Sequence, residues 1–356
     1  MCGVLLVATT GPGSMAIVAV GVASIVLLAL ALGGLRYAIV HPRHPGRRQL
    51  PPLNEDERAL VGRLRTHVHA IASRPHNLYF RDALDEAAAY IEQALQEAGF
   101  EPLRHCFPCA GHMVRNIEVV IAPPGASPAL PTIVMGAHYD SPDDSPGAND
   151  NGTGVAALIE IARGLRAVAG LRLRVRLVFF VNEEQPWGKT AHMGSLRHAR
   201  SLKESGEVVV GMFALETLGH FSDVPGSQRF PYPFGLLYGD RGDFVAFVGL
   251  PRARSIVHRA VRIFRKVSPV PSIGGVAPGA IEGIDLSDHW AYDQMGFPAC
   301  MVTDTAPFRN PYYHQTYDTP DTVDYAMLAR VTLGLTAMLE VLATEPPPAR
   351  NVSAGS

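Results

Sequence analysis

Three apolar runs in the middle of the chain each stop at a histidine or a glutamate. Thr132–Ala137 stops at His138, Val175–Val181 runs into Asn182-Glu183-Glu184, and Val208–Leu215 stops at Glu216. Runs of this length, almost without polar residues, fit strands covered on both faces. Asn116–Ala122 and Pro298–Thr303 read as further strands. Helical patterns fall between and around them. Gly152–Arg166 carries Val155, Leu158, Ile159, Ala162 and Leu165 at helical spacing, and Ala191–Leu202, Ser255–Lys266 and Thr322–Leu342 are also helical. Upstream, Asn54 is placed as an N-cap with Glu57 as its capping partner, opening a helix that runs to about Ser73. A second helix, from about Arg81 to Ala98, stops at Gly99. Apolar strands alternating with helices imply a sheet held between helix layers, with ligands gathered beyond the carboxyl ends of the strands.

The polar residues at those strand ends have a definite order. Gly136-Ala137-His138-Tyr139-Asp140, Gly147-Ala148-Asn149-Asp150-Asn151, Asn182-Glu183-Glu184, Leu215-Glu216-Thr217 and Tyr313-His314-Gln315 supply His, Asp, Glu-Glu, Glu and His. That set offers two imidazoles, a carboxylate able to span two metals, a terminal carboxylate for each, and one acid to spare. Zinc accepts such nitrogen and oxygen donors, and a spare carboxylate beside a water can act as a general base. His138 is expected to be a ligand, with Asp140 fixing its other ring nitrogen. Asp150 sits in an Asn-Asp-Asn-Gly turn, where the plainer alternative is a helix cap. Glu183 and Glu184 would repel one another at a buried strand end unless cations hold them. Ser287-Asp288-His289 cannot form a serine triad, because three consecutive residues lack the geometry, and there is no G-x-S-x-G. Asp288 is instead expected to support the site or contact substrate. His192, His198, His220 and His258 are expected to be structural.

Met15–Leu35 is a second constraint: 21 residues without a charge. As a helix it reaches about 30 Å, the thickness of a bilayer core. A cleaved signal peptide is the main alternative, since Ala29-Leu30-Ala31 resembles a cleavage site. However, residues 1–14 contain no Lys or Arg, so a retained single-pass anchor is expected, embedded in membrane lipid. The expected organisation is a tail over 1–14, the anchor over 15–35, a Pro- and Arg-rich linker over 36–53, one catalytic domain over 54–345 and a disordered tail over 346–356. Arg36, Arg43, Arg47 and Arg48 follow the span, which by the positive-inside rule places the domain in the cytoplasm. Cys106 and Cys109 form a CxxC, but on a strand they face opposite sides. The net charge is −2, with no aromatic-studded basic face, so no nucleic-acid partner is expected.

On GAHYDS, GANDNGTG, FFVNEE, SDHWAY and YYH-x-x-x-DT, the chain resembles the zinc exopeptidases that include aminopeptidase Y, bacterial leucine aminopeptidases and glutamate carboxypeptidase II. The match covers roughly Asn116 to Leu342. The resemblance implies a three-layer α/β/α sandwich with a central mixed, mostly parallel sheet. It implies two Zn2+ per chain, with His138 and Glu216 on one, Glu184 and His314 on the other, Asp150 between them, Glu183 as the base and Tyr313 near the tetrahedral intermediate. Glu216 stands where that family more often has Asp. The related glutaminyl cyclases lack the Glu183-Glu184 pair. A cyclase-like acyltransferase and a non-catalytic receptor-like domain are the alternatives. The resemblance favours an extracytoplasmic domain, against the arginines, and the reading leans that way. Rim loops Phe221–Phe234 and Val267–Asp288 carry acids (Asp223, Glu282, Asp285, Asp288), with Arg229 and Arg309 as the few arginines nearby. Peptides with a free amino terminus are therefore the expected substrates.

Overall fold

The computed structural model describes residues 12–41, 50–231 and 234–345. The tail over 1–11, Arg43, Arg47, Arg48 and the C-terminal 346–356 lie outside the described residues. The strands, in chain order, are β1 Ile39–His41, β2 Leu103–Cys109, β3 His112–Ile121, β4 Thr132–His138, β5 Arg174–Phe180, β6 Val209–Glu216, β7 Val245–Gly249, β8 Ser272–Val276 and β9 Ala299–Thr303. They form one sheet in the order β1-β8-β7-β9-β6-β4-β5-β3-β2. The helices are α1 Pro12–Ala38, α2 Glu55–Ile71, α3 Arg81–Glu97, α4 Gly154–Leu165, α5 Gly194–Glu204, α6 Gly235–Tyr238, α7 Arg254–Val267, α8 His289–Gln294 and α9 Tyr325–Thr344.

The strand residues alternate between two cores, as period-two geometry requires. Ile133, Met135, Ala137, Leu177, Phe179, Phe213 and Leu215 point into the larger one, which α2, α3, α4, α7 and α9 cover. Val134, Val178, Phe180, Met212 and Ala214 point the other way, towards α5 and α8. With both faces covered, the central strands are apolar throughout, which is why their sequence is so plain. The sheet is mixed. β5-β4-β6-β9 and β7–β8 pair in parallel, while β1–β8, β2–β3, β3–β5 and β7–β9 pair antiparallel. Parallel pairing is thus concentrated at the centre and does not dominate the whole sheet.

The N-cap of α2 forms as the sequence indicates: Asn54 Oδ1 accepts from Glu57 N at 2.8 Å, and Glu57 returns the bond to Asn54 N at 2.8 Å. In the CxxC, Cys106 is exposed and Cys109 buried. Two readings change. Val267–Asp288, expected as a rim loop, contains β8, a Ser-Ile-Gly-Gly-Val strand whose neighbours supply the pairing its own composition does not advertise. Ile39–His41, expected within the linker, is strand β1, with Ile39 opposite Gly275 and His41 opposite Gly274. The helix leading into it is longer than the uncharged stretch, and the apolar window Ala19–Ala38 is not buried by the rest of the chain. α9 is also long and apolar, though less so, and it is mostly buried, as a core helix is. Where α1 ends, Arg254 lies 4.4 Å over the Tyr37 ring and donates to the Tyr37 carbonyl.

Candidate metal centre

Parallel strands β4, β5, β6 and β9 end at the same edge, because His138 is level with Phe180 and Glu216 with Thr303. This edge is where open α/β sheets hold ligands. The chain leaves β5 and β6 through left-handed residues, Asn182 (φ 63°) and Thr217 (φ 48°). Non-glycine residues take this conformation at a cost of about 1–2 kcal/mol, and here it turns the following main chain sharply at the strand end. Opposite lies Ala148–Thr153, a wide turn before α4 whose Asp150 and Asn151 are not helical. Its shape is held by side chains. Asp318 accepts from Asn149 N and Asp150 N at 2.9 and 3.0 Å. Asn151 accepts from Thr217 N at 3.1 Å and donates to Leu215 O at 2.8 Å. Asp150 is therefore not a helix cap; its N–H is capped by Asp318 and its carboxylate faces the opposing histidines.

These segments converge. Asp150 Oδ1 lies 3.3 Å from His138 Nε2, and Asp150 Oδ2 lies 3.0 Å from His314 Nε2. Glu216 Oε2 is 3.3 Å from His138 Nε2, and Glu184 Oε1 is 3.7 Å from His314 Nε2. Glu183 Oε2 stands 4.0 Å from His138 Nε2. One carboxylate thus faces two imidazoles with its two oxygens, and each imidazole has a further glutamate beside it. His138, Asp150, Glu184 and Glu216 are buried, while His314 is partly open to solvent.

Burial raises Glu183 and Glu184 well above the usual carboxylate range, and neighbouring acids add to the effect. Glu216 is pushed up to about 7 by burial and by the Asp150 charge. Asp150 goes the other way: burial would raise it, but the His138 and His314 imidazoles beside it outweigh that and lower it. Burial would lower His138, but the carboxylates of Glu216, Asp150 and Glu183 hold it well above its ordinary value. The strongest influences on the three glutamates include no Lys or Arg. His138 Nε2 and Asp150 Oδ1 are buried without a hydrogen-bond partner. Buried anions with no Lys or Arg beside them among the described residues, facing unsatisfied imidazole nitrogen, are a donor set that suits a divalent cation such as zinc.

Two expected residues, Asp140 and Asp288, are placed differently from their expected contacts. The Asp140 carboxylate does not hold His138. His138 Nδ1–H donates to the Asp140 carbonyl at 3.0 Å, while the carboxylate accepts from Glu183 N and Glu184 N, each at 3.1 Å. A carboxylate with two main-chain N–H groups in reach satisfies both of its oxygens there. Asp288 has no exposed surface, which suits the supporting place and not the substrate-facing one. It lies beneath the site beside Ser195, with its carboxyl raised to about 7 by burial. Tyr313 stacks on His314, with ring centroids 3.9 Å apart. Residues the sequence reading passed over are Ser287, whose hydroxyl donates to Glu216 Oε2 at 2.8 Å, and the supports Asn149, Asn151 and Asp318. Their signal was their nearness to the acidic segments. Of the rim charges, Asp285 is paired with Lys189 at 2.8 Å, and Arg309 turns inward to Gln228 and to the carbonyls of Gly242 and Phe244.

Known proteins share this sequence and architecture. The pattern of Peptidase family M28 matches residues 118–234 and 252–339. The uncharacterized protein YfbL of Escherichia coli K12 is 37% identical over 267 residues, 72% of this chain and 80% of that protein. A probable leucine aminopeptidase of Arthroderma otae is 26% identical over 62% of this chain and 56% of its own length. Among solved structures, the LapA aminopeptidase of Legionella pneumophila superposes with a TM-score of 0.59 at 18% identity, covering 85% of this chain and 78% of LapA. The glutaminyl cyclase of Porphyromonas gingivalis also reaches 0.59, at 16% identity, covering 80% of this chain and 98% of the cyclase. The fold is that of the zinc aminopeptidases, and the chain belongs to peptidase family M28.

Proposed function

We propose that this chain is a membrane-anchored, two-zinc aminopeptidase. The observation that carries the reading is the shared carboxylate: Asp150 faces His138 with one oxygen and His314 with the other, and Glu216 and Glu184 complete one half-site each. His138 and Glu216 would hold one ion, His314 and Glu184 the second, and Asp150 both. Zinc supplies Lewis acidity to the scissile carbonyl and acidifies an attacking water.

The protein's own groups do the rest. Glu183, held by the main-chain bond from its N–H to Asp140, takes the proton from the water and passes it to the leaving amine nitrogen. Its raised affinity for protons suits that exchange. Ser287 fixes Glu216, and the Asp140 carbonyl fixes the His138 tautomer. Burial and the surrounding acids keep the Tyr313 phenol protonated, so it can donate to the oxygen that gains charge. The surplus of acids favours a substrate ammonium, whereas Arg309 is committed to the fold and cannot grip a carboxylate. α1 is taken as the anchor because its apolar window is bare, with the domain on the extracytoplasmic side. No nucleic-acid partner is proposed.

The cyclase-like alternative draws on the Porphyromonas gingivalis similarity; the adjacent Glu183 and Glu184 speak for hydrolysis. Aminoacyl-nitroanilides with apolar side chains should be cleaved, and acetylating the amine should remove most of the rate. Cyclisation of N-terminal glutamine without cleavage of any aminoacyl substrate would overturn the reading.

A further inference from the structure

An apolar cavity adjoins the metal centre, and Glu216 and Tyr313 are among its walls. It crosses one face of the sheet. Alternate residues of neighbouring strands line it: Met301 on β9, Val248 on β7, Ile273 and Gly275 on β8, and finally Ala38 at the end of α1. In the strand order β6-β9-β7-β8-β1 this path takes four strand spacings, roughly 19 Å. No side chain of the twenty amino acids reaches that far. Glu216 and Glu282 are the only charged residues in the lining among the described residues. A peptide laid along it would leave its amide groups without partners, a cost that an alkyl chain does not carry.

The far wall is unusual in origin. It belongs to the apolar helix α1, whose end is fixed to the sheet by β1–β8 pairing and by Arg254 on Tyr37. From Ala19 to Gly34, α1 is exposed and apolar. The cavity therefore begins at the acidic cluster and ends where the chain would enter the bilayer.

We infer that this cavity takes a lipid-length alkyl or acyl chain carried on the first residue of the substrate, so that the enzyme trims membrane-held amphiphilic peptides. This rests on the aminopeptidase reading. The reaction remains amide hydrolysis: water adds across the first peptide bond, its OH to the lipidated residue's carbonyl carbon and its H to the released amine, and no other reactant is needed.

The test uses the full chain in phosphatidylcholine nanodiscs and S-alkylcysteinyl-nitroanilides from S-ethyl to S-dodecyl. Each buried methylene is worth about fourfold in affinity. Gly275→Leu narrows the far end, where a side chain would start 3.4 Å from the Ala38 carbonyl and the Tyr238 hydroxyl; Ala38→Phe narrows it from the end of α1. In both variants the kcat/KM ratio of S-dodecyl to S-ethyl substrate should fall at least tenfold from wild type, a comparison in which partition into the bilayer cancels. An unchanged ratio in both variants would overturn the inference. Calorimetric titration with S-dodecylcysteine separates this from the reaction itself. If no substrate is cleaved, the peptidase reading fails, yet binding at least tenfold weaker in both variants would still assign the cavity, and equal binding would reject it.

Discussion

Two clusters of buried acids and histidines sit on this sheet, and they settle their charge in opposite ways. In the first, Glu118 on β3 is fully buried, with His105 Nε2 at 2.7 Å, His198 Nε2 at 3.5 Å and the Arg176 guanidinium at 2.7 Å. Arg176 also holds Glu207 at 2.8 Å. Although burial opposes it, hydrogen bonds from the two histidines and the charge of Arg176 draw the Glu118 carboxyl far below its ordinary range. In the second, at the ends of β4, β5 and β6, comparable burial meets no guanidinium among the described residues, and Glu183, Glu184 and Glu216 are all raised. Residue type and burial are similar in the two clusters. The difference is the arginine: the first cluster neutralises itself, while the second leaves imidazole nitrogen and carboxylate oxygen unsatisfied, as a cation site must before it is filled.

The sharpest way to break this comparison is to remove divalent ions. A strong chelator should abolish peptidase activity, with metal and activity returning together on adding zinc; full activity in metal-free protein would contradict it. Next in size, Glu183→Gln should lower kcat by roughly 10²–10⁴-fold while metal content stays at the wild-type level, whereas Glu184→Gln should reduce metal content itself. Equal metal loss in both would mean the two glutamates are wrongly divided. The self-neutralised cluster should respond in the other currency. Arg176→Met takes the shared guanidinium from Glu118, which keeps His105 and His198, and from Glu207, which keeps Arg174, and should destabilise the fold by about 1.5–3 kcal/mol, read by denaturant unfolding, with the metal content of folded protein unchanged.

The smallest effect is a difference in the sign of pH dependence. Glu216 in the metal-free fold holds its proton up to about 7, above its value in the unfolded chain. The metal-free protein should therefore lose stability as pH rises from about 4.5 through 7, and zinc should cancel that slope. Glu118 is lowered, so its contribution is full above about 4.5 and disappears as pH falls further. Thermal unfolding between pH 3 and 8, with and without zinc, would show whether the two arms exist.

The clusters also show what a sequence displays and what it hides. His138, Glu183, Glu184 and Glu216 were legible because each closes an apolar run, so strand and site announce each other. β1 and β8 were not legible: β8 is built of Ser, Ile, two Gly and Val between prolines, and β1 has three residues, so both depend on each other and on β7. His198 looked partnerless because Glu118 lies 80 positions earlier and meets it only through the fold. Asp140 and Asp288 were recognised as part of the site, but their contacts were not, since local spacing cannot tell whether a carboxylate faces an imidazole, a pair of main-chain N–H groups or the interior.

The central claim is that one cluster is built for two cations and the other for none. Anomalous diffraction at the zinc edge, from crystals of the full chain grown with zinc, tests both halves at once. The account predicts two peaks roughly 3.5–4 Å apart, one beside His138 and Glu216, the other beside His314 and Glu184, with Asp150 between them and no peak at Glu118. A single peak at Asp150, or zinc bound among His105, Glu118 and His198, would contradict it.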